Sequence, residues 1–168
     1  MDRSKRVMKA EKIKVNPAGD TLYARLGGRP GMSTLIKWFY AKVRFEPLLE
    51  PIFNAHISLW SKHLEVLIDY WSQMSGGPAN YNGGMGRHIF LHLGPAHFEV
   101  WLEVWAENCH WLLPEPEAGE MIALAERLAI QLQDATVRPL PGKSGSDGGP
   151  KEKPSLGAPG RVQAGRAP

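Results

Sequence analysis

Apolar residues recur at intervals of three and four along most of the chain between residues 21 and 138. This spacing places them on one face of an α-helix. No segment shows the strict alternation of apolar and polar residues that indicates a half-buried strand. The pattern therefore predicts an all-α protein.

Glycine and proline interrupt the apolar pattern and predict the limits of each helix. Ser58 is the expected N-cap of the second long helix, because its hydroxyl can accept a bond from a free backbone N–H. The predicted segments are a short opening turn (21–26), a helix from Pro30 to Pro47, a compact turn region (46–56), a helix from Ser58 to Gly76, a helix from Gly94 to Pro114, and a last helix (117–135).

The chain of 168 residues is long enough for one folded domain with extensions. Residues 1–20 are basic and weakly patterned, and we expect them to form an N-terminal extension. Residues 139–168 are rich in Gly, Pro, Ser and Lys without apolar periodicity, which is typical of a disordered tail. We therefore expect the folded domain to span residues 21–138.

Composition restricts the class of protein further. The formal charge of +3 is a mild excess, much of it in the two tails, so we expect solvated tails and no nucleic-acid partner. No stretch approaches the ~20 apolar residues of a membrane span. The single cysteine, Cys109, allows no intrachain disulfide, which fits a cytoplasmic location. Six Trp residues indicate either a tightly filled core or an aromatic-lined cavity.

A long glycine-rich loop between the second and third long helices leads to His88. Long irregular loops inside compact domains usually have a function. His88 follows Arg87 and precedes the apolar run 89–91. A haem needs an imidazole ligand, apolar walls and a cation near its propionates, and this stretch offers all three. A single histidine beside an apolar run is nevertheless also common on ordinary surfaces and in ordinary cores.

Three further residues supply neutral hydrogen-bond donors on predicted helices: Tyr40, His63 and Trp101. Tyr40 and Trp101 lie on apolar stripes, and His63 lies one turn from Trp60. Such donors suit the ligand side of a haem, because bound dioxygen acquires partial negative charge. Taken singly, the two aromatic residues fit equally well as core, and His63 as part of a solvated helix face.

Several segments resemble the truncated haemoglobin family over residues 21–138. The opening Tyr23-Ala24-Arg25-Leu26-Gly27-Gly28, the pair Phe39-Tyr40, and the segment from His88 through Leu93-Gly94 to Trp101-Leu102 are similar to family motifs. The segments 47–54, 60–63 and 70–71 resemble group III of the family, whereas 76–78 and Tyr81 resemble groups I and II. The resemblance implies a two-over-two helical sandwich around haem b.

The resemblance also implies roles for individual residues. His88 would be the proximal iron ligand, and Tyr40, Trp101 and His63 would face the ligand on the distal side. Phe53 would pack against the haem, Leu67 would line the distal pocket, Tyr81 would belong to the haem-binding set, and Arg87 is the candidate propionate partner. His92 and His97 are the histidines that compete with His88 for the iron.

The function implied is binding of oxygen, nitric oxide, carbon monoxide or peroxide. Two or three hydrogen-bond donors beside the ligand slow its release, which favours redox chemistry on the bound ligand over oxygen transport. The possible activities are those of a nitric oxide dioxygenase or a peroxidase-like enzyme, with an unidentified reductase as partner. The alternatives are a haem-free helical interaction module, a zinc site built on His88 and His92, and a haem sensor that signals through the C-terminal tail.

Overall fold

The computed structural model describes residues 11–83 and 93–137, and all of its regular secondary structure in these ranges is helical. The predicted all-α class is confirmed. The helices are α1 (Leu22–Arg25), α2 (Gly28–Val43), α3 (Glu50–His56), α4 (Trp60–Met74), α5 (Pro95–Leu112) and α6 (Glu115–Val137).

Helix α1 lies within the predicted opening turn, whereas α2 begins at Gly28, two residues before the predicted start at Pro30. The Thr21 hydroxyl accepts the backbone N–H of Ala24 at 3.1 Å and caps α1. Gly27 and Gly28 then take positive φ angles of 82° and 70°, which glycine adopts without steric cost. The chain reverses there and enters α2, which ends at Val43, before Pro47 can interrupt it.

The start of the second half of the domain differs from the prediction in two places. Part of the predicted turn region is the helix α3, and the Glu46 carboxylate accepts the backbone N–H groups of Leu48 and Leu49 just before it, at 2.8 and 2.9 Å. Ser58 is not an N-cap: α4 begins after Leu59, without a side-chain cap. Seven residues are too few for a clear apolar period, which explains why the pattern missed α3.

Helices α5 and α6 are separated by two residues, Leu113 and Pro114. The predicted break is present, but α6 already begins at Glu115 and accepts Pro116 in its first turn, where proline has no N–H bond to lose. His110, near the end of α5, pairs with Glu115 at 3.2 Å. The connection is therefore tighter than the sequence predicts.

The core lies where α2 packs against α4 and α5, and α5 packs against α6. Trp71 and Trp105 are almost fully buried at its centre, with ring centroids 4.5 Å apart. The Trp105 indole N–H donates to the Met121 carbonyl of α6 at 3.1 Å. Burial of a tryptophan without such a partner would leave a polar group unsatisfied. The high tryptophan content is thus explained in part by core packing.

The folded part extends upstream of residue 21. The backbone N–H of Ile13 donates to the carbonyl of Leu112 at 2.9 Å, and Ile13 and Val15 pack against the core. The structure divides into two units, residues 1–138 and 139–168. The predicted C-terminal tail lies outside the described residues. Within the described ranges, no helix has the length and apolar character needed to cross a membrane.

Candidate functional site

A cavity of about 790 Å³ opens between α2, α3, α4, α5 and α6 and the loop that follows α4. This volume is in the range of small-molecule and cofactor sites. Six of the residues that the sequence singled out line it together: Tyr40, Phe53, His63, Leu67, Tyr81 and Trp101. They come from four helices and one loop. His88 and Arg87, the predicted iron ligand and propionate partner, lie outside the described residues.

The polar centre of the cavity is a hydrogen-bonded pair, Tyr40 and Trp101, which are 4% and 8% exposed. The Trp101 indole can only donate, so its N–H bonds to the hydroxyl oxygen of Tyr40. Burial raises the pKa of Tyr40 well above its ordinary value, and the bond from Trp101 opposes that shift in part. Tyr40 therefore stays protonated, and its hydroxyl hydrogen can donate to a ligand in the cavity.

An aromatic wall holds Tyr40 in place. Its ring centroid lies 6.1 Å from Phe53 of α3, 6.0 Å from Trp60 and 6.2 Å from His63 of α4. The last contact is edge-on, with the ring planes 89° apart. The Arg44 guanidinium stacks over the outer face of Trp60 at 4.9 Å. The predicted distal residues are therefore grouped on one side of the cavity, and packing restricts their orientation.

His97 also lines the cavity, but its hydrogen bond argues against it as an iron ligand. Its Nδ1 accepts the backbone N–H of Gly94 at 3.0 Å, which caps the first turn of α5. In the neutral ring the proton must then lie on Nε2. Neither nitrogen offers a lone pair to a metal in this arrangement. His92, the other competitor of His88, lies outside the described residues.

Other cavity residues were not singled out by the sequence. Lys62 is an exposed lysine at the opening and is the type of side chain that can neutralise a carboxylate of a bound group. The remaining wall is mostly apolar, and most of its apolar residues fall on helix stripes that look the same whether they face core or cavity. These additional wall residues include Leu49, Ile57, Tyr70, Trp71, Phe98, Leu128 and Leu132.

Metal binding by the described residues alone is not supported. Within residues 11–83 and 93–137, no three His, Cys, Asp or Glu side chains are grouped so that they could hold a metal ion. The zinc alternative rests on His88 and His92, which the described ranges do not include.

Comparison with known proteins gives consistent results. The family model for bacterial-like globins matches residues 21–133. A group 3 truncated haemoglobin of Campylobacter jejuni is 29% identical over 109 residues, which are 61% of this chain and 86% of that protein. The crystal structure of group III truncated haemoglobin from Campylobacter jejuni superposes with a TM-score of 0.61 at 28% identity, covering 65% of this chain and 91% of that one.

A group II two-on-two haemoglobin of Agrobacterium tumefaciens is also similar, with a TM-score of 0.59 and 26% identity over 70% of this chain and 97% of that one. Similarity to both groups agrees with the mixed motifs in the sequence. The predicted architecture, a two-over-two sandwich, is therefore confirmed.

Proposed function

This chain belongs to the bacterial-like globin family and has the two-over-two fold of a truncated haemoglobin, and from that premise we propose that its cavity holds haem b with His88 as the iron ligand and Tyr40 as donor to a bound diatomic gas. Members of this family are haem-binding globins, so the haem-free alternative is not favoured. The observation that carries the proposal is the convergence of six predicted residues from five separate segments on one cavity.

The residues present fit a haem. The cavity is walled mainly by aromatic and aliphatic side chains, which suit the faces and edges of a porphyrin. Phe53 and Leu67 are both buried and supply apolar contact from α3 and α4. The buried Tyr40 hydroxyl is the kind of neutral donor that a polarised diatomic ligand needs. Lys62, together with Arg87, supplies positive charge for the propionates.

Haem supplies an iron atom that binds diatomic gases and can exchange electrons. The chain's own residues decide what happens to the gas. Trp101 donates to the oxygen of Tyr40, so the hydroxyl hydrogen of Tyr40 stays available to an acceptor in the cavity. Trp101 thereby acts as a positioning residue for Tyr40, in addition to its predicted role as a direct donor to the ligand. His63 packs against Tyr40 and restricts access from the side of α4.

Retention of the ligand favours redox handling over oxygen transport. A neutral hydrogen bond contributes about 1 kcal/mol, and more where water is excluded, so a donor at the ligand slows its release. We include in the proposal a nitric oxide dioxygenase or peroxidase-like activity, which requires electrons from a reductase yet to be identified. A cytoplasmic location belongs to the same proposal and is supported by the free, buried thiol of Cys109.

The iron ligand is tested by substitution of each competing histidine. Purified His88→Ala should fail to show a Soret band after addition of hemin, because the iron loses its protein ligand. His92→Ala and His97→Ala should retain the band, and they serve as matched controls for the loss of an imidazole. Haem retention with an unchanged spectrum in His88→Ala would show that another residue binds the iron.

A further inference from the structure

Four aromatic rings along the cavity wall contact one another in series, and we name them the aromatic row: Trp101, Trp71, Tyr70 and Tyr81. Trp101 and Trp71 are stacked with centroids 6.4 Å apart. Tyr70 meets Trp71 at 5.5 Å and Tyr81 at 5.0 Å, both edge-on. Trp and Tyr are the aromatic side chains that lose one electron most readily, so the row is a continuous series of oxidisable groups.

The row leads from the interior towards solvent. Trp101, Trp71 and Tyr70 are buried, whereas Tyr81 is half-buried. A tyrosine that loses an electron at neutral pH must also release its phenolic proton. Burial raises the pKa of Tyr70 to about 12, and the neighbouring Tyr81 adds to that shift. Tyr70 therefore releases its proton poorly, and Tyr81, which is nearer to water, is the favoured end point of the oxidation.

The reactive edge of Tyr81 faces a glycine. A Cβ atom on Gly83 would lie 2.5 Å from Cε2 of Tyr81 and 2.7 Å from its hydroxyl oxygen. The Gly83 backbone therefore packs against this side of the ring, and only a residue without a side chain fits there. Cε is the carbon through which two tyrosines join when they form dityrosine. Tyr81 therefore offers an oxidisable, half-buried ring with two possible coupling carbons, Cε1 and Cε2, and Gly83 lies beside Cε2.

We propose that Tyr81 is a site of oxidative coupling, reached through the aromatic row when a hydroperoxide is reduced in the cavity. With hydrogen peroxide, the O–O bond breaks and two water molecules form. Two chains each give up one electron and one proton from Tyr81, and a C–C bond then joins their Cε carbons. The inference rests on the proposed haem binding, because haem iron is the group that passes electrons to the peroxide.

The experiment adds hydrogen peroxide to the full-length, haem-loaded protein and follows dityrosine fluorescence and covalent dimers on reducing, denaturing gels. Tyr81→Phe should lose both signals to the level of the sample without peroxide. Tyr23→Phe is the matched control, because Tyr23 is also half-buried but does not line the cavity, and it should dimerise like the parent protein. Dimerisation of Tyr81→Phe at the parent rate, or a cross-link that peptide mass spectrometry assigns to Tyr23, would overturn the proposal.

A second variant tests the route. Trp71→Phe keeps an aromatic ring in the row and removes the more readily oxidised indole, so cross-linking through Tyr81 should slow markedly although Tyr81 is intact. An unchanged rate would mean that Tyr81 is oxidised directly from the cavity, and the row would be rejected as the path. The Soret band separates the two hypotheses: its absence refutes haem binding itself, whereas a haem-loaded protein that does not cross-link refutes only the role of Tyr81.

Discussion

Replacement of Tyr40 by phenylalanine is the sharpest test of the distal side of the cavity. The ring remains, so its contacts with Phe53 and Trp60 are preserved, and only the hydroxyl is lost. Tyr40 is only 4% exposed, so bulk water does not readily take the place of its hydroxyl. A neutral hydrogen bond in such a site contributes about 1–1.5 kcal/mol, and ~1.4 kcal/mol corresponds to a tenfold change in rate or affinity.

We therefore expect oxygen to leave the ferrous Tyr40→Phe protein about tenfold faster than it leaves the parent protein. Stopped-flow mixing of the oxygenated protein with excess carbon monoxide measures this rate directly. Tyr23→Phe, which removes a hydroxyl remote from the cavity, should leave the rate unchanged. An oxygen release rate in Tyr40→Phe equal to that of the parent would refute the assignment of Tyr40 as ligand donor.

Trp101→Phe shows whether the indole acts on the ligand or through Tyr40. If the Trp101 N–H orients the Tyr40 hydroxyl, Trp101→Phe alone should raise the oxygen release rate. In a protein that already carries Tyr40→Phe, the same substitution should change the oxygen release rate little. Independent, additive effects of the two substitutions would instead show that both side chains donate to the ligand, as the sequence resemblance implied.

Two other predictions concern stability. Gly31→Ala should lower the free energy of unfolding by several kcal/mol in denaturant titrations, because the added Cβ would lie 1.7 Å from the Leu26 carbonyl oxygen. The control is Gly119→Ala, which has nothing within 4 Å of the added Cβ and should raise the free energy of unfolding by up to ~1 kcal/mol. Equal effects of the two substitutions would contradict the packing at Gly31. Burial raises the pKa of Tyr70 from 10.0 to about 12, so the unfolded chain loses this proton at lower pH than the folded one, and the contribution of Tyr70 to stability is complete below pH 10 and decreases between pH 10 and 12. Thermal melts of Tyr70→Phe should therefore show a smaller loss of stability over this range. An alkaline stability profile identical to that of the parent would show that Tyr70 does not cause the loss.

The periodic spacing of apolar residues was sufficient to predict the long helices, because α2, α4, α5 and α6 each repeat the helical period over several turns. The starts of α2 and α5 lie beside glycines that the sequence marked as interruptions, Gly27 and Gly94. Short elements were less predictable, and α3 was missed because its seven residues are too few to show a clear apolar period. Motif resemblance identified Tyr40, His63 and Trp101, since these positions depend on residue type at fixed spacing.

The sequence by itself thus determined the helical class, the family and the residue types that surround the cavity, because these depend on local periodicity and motif spacing. Only the tertiary structure decided which polar groups meet. The bond from Trp101 to Tyr40 joins residues 61 positions apart, and the proton on Nε2 of His97 follows from a backbone contact at Gly94. Hydrogen-bond direction and tautomer depend on three-dimensional approach, which residue spacing does not encode.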